Sequence, residues 1–140
     1  MTDQLIPEGT YTVMGPGGQL TMRGGPGVSV WQPEGDPTQQ WNVAFDSGAY
    51  TLRNVASGSY LGNDGNPNEV AMMVKGTSRP FAWTLSTGYD DDENTYVLTS
   101  VASSDGLVLA MSFLRIFPPL VAILSPNADG RTVEWAFSPV

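Results

Sequence analysis

Ala49–Ser86, AYTLRNVASGSYLGNDGNPNEVAMMVKGTSRPFAWTLS, is the stretch whose reading decides the fold. It opens on an alternating run (Tyr50, Leu52, Asn54) and breaks at Ser57-Gly58. It resumes at Tyr60-Leu61, breaks over Gly62–Pro67, resumes at Val70–Val74, and closes on Phe81-Ala82-Trp83. Short alternating segments bounded by Gly, Asn, Pro and Ser read as strands joined by turns. The stretch therefore holds four strands.

The same layout occurs once before it and once after it. Opening tyrosines stand at Tyr11, Tyr50 and Tyr96, and closing tryptophans at Trp41, Trp83 and Trp135, so tyrosine leads tryptophan by 30, 33 and 39 residues. Third strands read as Val28–Trp31, Val70–Met73 and Val121–Leu124, ending ten, ten and eleven residues before the tryptophan. A recurring supersecondary unit is the signature of a repeat architecture. Three units of four strands, at about 9–46, 49–87 and 94–138, make twelve strands in one all-β domain spanning 1–140. Closing the units on one another removes most sheet edges. The core is expected to hold Tyr11, Leu20, Val30, Trp41, Tyr50, Leu52, Leu61, Met72, Trp83, Tyr96, Leu98, Leu107, Ile123 and Trp135.

Two segments carry a resemblance. Gln39-Gln40-Trp41 is a Q-x-W triplet, and Tyr50–Leu61 resembles the opening of a ricin-B-like β-trefoil repeat. The resemblance runs from Gly9 to Ser138 and implies a β-trefoil. The second and third units depart from it, with Phe81-Ala82-Trp83 and Val133-Glu134-Trp135; the tryptophan is kept and the polar residue is not.

Composition removes several classes of function. The 140 residues contain no cysteine and no histidine. A disulfide scaffold, a thiol nucleophile, and the commonest general base and metal ligand are thereby excluded. Fourteen acids against six bases give a formal charge of −8, which opposes nucleic-acid binding and attraction to anionic membranes. No apolar run reaches transmembrane length. Met1-Thr-Asp-Gln4 starts no signal peptide, so a cytoplasmic protein, or one released without a signal, is expected. Asp90-Asp91-Asp92-Glu93 lacks the alternation and the glycine of a calcium loop and reads as a solvated hairpin tip. Gly15–Gly18 precedes no helix and so lacks the phosphate-cradling mechanism. The chain is expected to be no enzyme and to need no cofactor or metal.

Three binding roles stay open. The ricin-B-like resemblance implies a lectin, in which a sugar stacks on an aromatic residue of the third strand and polar groups hold its hydroxyls. Trp31 matches the aromatic position and Thr38 the polar one; Thr21 and Met22 stand where an acid is expected. Trp31 is otherwise a packing residue on the strand's outer face. In the second unit Asn63 and Asp64 are the candidates, with Met73 at the platform position, and in the third Leu124 takes that position. The chain is also similar to fungal β-trefoil protease inhibitors, with the opening Glu8–Val13. That likeness implies a single inhibitory loop, with Arg23 or Arg115 as anchor for a trypsin-like pocket. The third role is an interaction subunit that docks on a protein partner through the apolar loop Phe113–Leu120. The partner is accordingly a glycan or small sugar, a protease, or another protein.

Overall fold

The computed structural model describes residues 5–15, 17–23, 27–63, 72–87, 95–102, 106–112, 119–125 and 134–140, with Met72 described by its backbone alone. Thirteen strands occur among them, all in one hydrogen-bonded network. The first unit contributes β1 (Gly9–Gly15), β2 (Gly18–Thr21), β3 (Ser29–Trp31) and β4 (Trp41–Asp46), with one 3₁₀ turn at Pro37–Gln39. The second contributes β5 (Ala49–Asn54), β6 (Tyr60–Gly62), β7 (Met72–Met73), β8 (Lys75–Thr77) and β9 (Trp83–Thr87). The third contributes β10 (Thr95–Ser100), β11 (Val108–Met111), β12 (Val121–Leu124) and β13 (Trp135–Pro139). The count exceeds twelve because the third strand of the second unit is divided at Val74.

First and fourth strands close a six-membered ring. β1 pairs with β4, β4 with β5, β5 with β9, β9 with β10, β10 with β13, and β13 with β1, all antiparallel. Within each unit the register sets tyrosine opposite tryptophan: Tyr11 on Trp41, Tyr50 on Trp83, Tyr96 on Trp135. The remaining hairpins, β2–β3, β6–β8 and β11–β12, cap one end of this barrel. The architecture is a β-trefoil.

The tryptophans explain why the repeat tolerates changes around them. All three are fully buried, and each indole N–H donates to a leucine carbonyl on its unit's second strand. The bonds run from Trp41 to Leu20 (3.2 Å), from Trp83 to Leu61 (2.9 Å) and from Trp135 to Leu109 (3.0 Å). A buried N–H must find an acceptor, and a backbone carbonyl is present whatever the neighbouring side chains are. Except for Met72, whose side chain lies outside the description, every residue expected in the core is buried. At the barrel's other end the Tyr50 hydroxyl accepts the amides of Leu5 and Ile6, and the Tyr11 hydroxyl donates to the Pro7 carbonyl. Residues 5–7 are thus a strap across the barrel floor.

The second unit's cap corrects the sequence reading. Val70–Met73 was expected to match Val28–Trp31, but the strand paired with β6 is Lys75–Thr77, with Tyr60 opposite Thr77 and Leu61 opposite Gly76. In the first unit Gln19 faces Trp31 and Leu20 faces Val30. Gly76 therefore holds the position of Val30, and Thr77, not Met73, holds the platform position. Met73 instead pairs with Ala122 of the third unit, and Val74 is buried there. The space that a side chain at Gly76 would fill is occupied from the first unit and from its own: a Cβ would lie 2.9 Å from the Met22 sulfur and 2.9 Å from Ser59 Cβ.

Candidate functional site

Trp31 ends β3 on the cap, half-buried. Its backbone is set by Gln19 across the hairpin and by Gly18, where a Cβ would lie 2.3 Å from the Trp31 carbonyl oxygen. Trp31 borders an open hollow of about 220 Å³ lined also by Thr21, Arg23 and Ser29. The hollow thus has one aromatic wall, two hydroxyl-bearing residues and a guanidinium.

The guanidinium is fixed by residues that sequence reasoning did not single out. Arg23 Nη2 donates to Glu34 Oε1 and, at 3.2 Å, to Asp36 Oδ2. These partners, Glu34 first, hold its pKa above the ordinary arginine value. Asp36 is fixed in turn: its Oδ1 accepts both the hydroxyl and the backbone amide (3.0 Å) of Thr38. Its carboxyl is held below the usual aspartate range by the Thr38 hydroxyl first, against desolvation, then by the Thr38 amide and by Arg23. The signal in the sequence is Asp36-Pro37-Thr38: aspartate as the cap of a short turn, proline at its first position.

Thr38 therefore acts through Asp36. Its hydroxyl is engaged with that carboxylate, and its carbonyl accepts the Met22 amide and Asn54 Nδ2, both at 3.0 Å. Gln39 of the Q-x-W triplet is fully buried and also positions the loop. Its Nε2 donates to the Gln32 carbonyl (2.8 Å) and Thr21 Oγ1 (3.2 Å), while its Oε1 accepts the Glu34 amide (2.7 Å). The chain from Gln32 to Thr38 is thereby pinned at both ends beside the hollow.

The structure brings Trp31, Arg23 and, through Asp36, Thr38 into one neighbourhood. Asn63 is not among the residues lining the hollow; it follows β6 in the second unit and is buried. Asp64 and Arg115 lie outside the described residues, as do residues 113–118 of the apolar loop and the acidic run 90–93. Arg23, the other proposed inhibitory anchor, is held by two carboxylates, and an arginine so engaged has to break both ion pairs to enter a protease pocket. At the platform position the second unit has Thr77, whose hydroxyl bonds to the Arg79 carbonyl (2.7 Å), and the third has buried Leu124.

The description "Ricin-type beta-trefoil lectin domain-like" belongs to the family model that matches this chain, over residues 8–72 and 37–112. A search of curated proteins finds no match. Among solved structures, the Rhizoctonia solani agglutinin is similar at 19% identity and a TM-score of 0.80, covering 99% of this chain and 100% of its own. The Macrolepiota procera ricin B-like lectin in complex with lactose is similar at 20% identity and a TM-score of 0.82, with the same coverage. A proteinase inhibitor from Coprinopsis cinerea is similar at 16% identity and a TM-score of 0.68, covering 96% of this chain and 99% of its own.

Proposed function

Since the chain belongs to the ricin-type β-trefoil lectin domain-like family, we propose that it is a non-catalytic carbohydrate-binding protein whose sugar site is the hollow beside Trp31. The observation that carries this is the combination lining one open hollow: an indole, the Ser29 hydroxyl, and a guanidinium whose orientation is set by Glu34 and Asp36, with the buried Thr21 hydroxyl engaged by Gln19 and Gln39 behind them. An aromatic face suits the C–H face of a pyranose, and fixed donors suit its hydroxyl edge. Binding needs no proton transfer and no metal.

The charge pattern narrows the sugar. Arg23 faces two carboxylates, so the cluster carries a net negative charge on a chain already at −8. A carboxylate or sulfate on the ligand has to displace Glu34 or Asp36, whereas a hydroxyl needs only a spare guanidinium N–H. The sugar is therefore neutral. Affinity for a single site is weak, since each hydrogen bond adds on the order of 1 kcal/mol.

A glycan array with the wild type and Trp31→Ala tests the reading. Neutral glycans should bind, and the variant should lose about tenfold or more. Binding confined to sialylated or sulfated glycans overturns the neutral assignment, and binding that survives in the variant moves the site. A blank array overturns the lectin reading and turns the test to a protease panel with Arg23→Ala and Arg115→Ala.

A further inference from the structure

Trp31 borders a second hollow, distinct from the first in both composition and position. It measures about 370 Å³ and is lined by Gly17, Val30, Trp31, Gln32 and Pro119. Three of its five residues, Gly17, Val30 and Pro119, offer only carbon or backbone atoms; Trp31 adds its indole and Gln32 its amide. It also crosses a unit boundary: Gly17, Val30 and Gln32 belong to the first unit and Pro119 to the third. The Val30 amide donates to the Pro119 carbonyl at 2.9 Å, and Ser29 forms a bridge with Leu120. The wall is therefore joined by backbone hydrogen bonds, which side-chain motion does not undo.

We infer that this second hollow is a subsite for an apolar group attached to the bound sugar, so that the protein reads a neutral glycoside carrying an aryl or alkyl aglycone rather than a free sugar. The reading rests on the sugar site proposed above, because Trp31 is the residue common to both hollows. A sugar stacked at Trp31 in the polar hollow directs its substituents past the indole toward the apolar one. The hollow exceeds what a hydroxymethyl group fills and suits a phenyl ring or a short alkyl chain. Such a group finds apolar contacts on Val30, Trp31 and Pro119, and the Gln32 amide stands beside the linking oxygen.

The test compares the methyl, phenyl and octyl glycosides of one neutral sugar by titration calorimetry, in the wild type, Pro119→Glu and Gln32→Glu. Pro119 is half-buried and Gln32 exposed, and each contributes its carbonyl to a hydrogen bond that the substitution keeps. In the wild type the phenyl or octyl glycoside should bind about tenfold more tightly than the methyl glycoside, as burial of an apolar group demands. In the variants that ratio should fall below about twofold. A larger gain for phenyl or for octyl distinguishes an aryl from an alkyl aglycone. Equal binding of methyl and apolar glycosides to the wild type overturns the subsite, as does a ratio that survives both substitutions.

Phenol alone, followed by the Trp31 indole resonance, separates the two readings. A shift with phenol that Pro119→Glu abolishes, in the absence of any sugar binding, keeps the apolar hollow and overturns the sugar site beside it. No shift and no glycoside binding overturns both.

Discussion

In the second unit Phe81 stands where the first has Gln39, and Gly62 where it has Thr21, because Leu20 and Leu61 take equivalent places under the tryptophans. The two exchanges are one event in physical terms. In the first unit Gln39 Nε2 donates to Thr21 Oγ1 at 3.2 Å. In the second, a Cβ on Gly62 would lie 2.5 Å from both Cβ and Cγ of Phe81. The clash is with the root of the phenylalanine side chain, so ring rotation does not relieve it, and Gly62→Thr should cost about 1–3 kcal/mol by overpacking. Phe81→Gln removes a ring held 5.1 Å from that of Trp83, worth about 0.5–1.5 kcal/mol beyond burial, and leaves an amide over a glycine with no hydroxyl to meet. It should cost about 2–3 kcal/mol. Combined, the substitutions keep the contact with the Cβ of residue 81 but replace the rigid ring by a flexible amide that can meet the new hydroxyl, so the double variant should be more stable than the sum by about 1 kcal/mol. Recovery is partial because the connector before Trp83 is shorter: residues 78–82 against 32–40, which leaves no counterparts of the Gln32 carbonyl and the Glu34 amide in the same geometry. Urea unfolding of the four proteins, followed by tryptophan fluorescence, measures the cycle. Additivity within about 0.5 kcal/mol would refute the pairing.

Two further perturbations test the frame and the loop. Trp135→Phe should cost about 1–3 kcal/mol, because the buried Leu109 carbonyl loses its donor, and Trp135→Ala about 3–5 kcal/mol through the cavity it leaves; a melt showing either harmless contradicts the threefold indole–carbonyl frame. Asp36 has a folded-state pKa below its unfolded value, so its contribution is full above the unfolded aspartate value near 3.9 and is lost as pH falls through the folded one. Thermal melts from pH 7 to pH 2 should therefore fall less steeply on the acid side for Asp36→Asn than for the wild type, and superimposable acid limbs would show that the Thr38 bonds do not hold that carboxylate.

The barrel was legible in the sequence because its marks are large and its loops are not part of the mark. Tyrosine and tryptophan sit on ring strands whose pairing puts them opposite one another, and insertions between them fall in the caps. The cap of the second unit was not legible, and the cause is specific. Val70–Met73 is apolar and looks like the third strand, whereas Lys75-Gly76-Thr77 has no hydrophobic signal at all. Half-buried Gly76 stands where the first unit has the core residue Val30, and Met22, more than fifty residues earlier, helps fill the space beside it. No local pattern reports a cavity filled from another unit. The site divides in the same way. Trp31 and Thr38 follow from the register of one intact triplet, but Glu34 and Asp36 act on a guanidinium more than ten residues away, and only the folded loop brings them to it.

For the proposed sugar site, that asymmetry among the caps predicts a valency. The three platform positions are equivalent by strand register and differ in what they present: Trp31 half-buried beside an open hollow, Thr77 with its hydroxyl bonded to the Arg79 carbonyl, Leu124 buried. Only the first offers an aromatic face. The barrel does not enforce likeness among the caps, since each indole is anchored on a backbone carbonyl and the barrel survives whatever the third strand carries. Binding at the platform positions should therefore be monovalent, and strong avidity would need several chains, or several sugars on one surface, rather than several units of one chain. Titration calorimetry with a monovalent neutral glycoside should give one site per chain. A stoichiometry of two or three would mean that Thr77 or Leu124 supports a sugar without an aromatic platform, and the dependence of binding on Trp31 would fail with it.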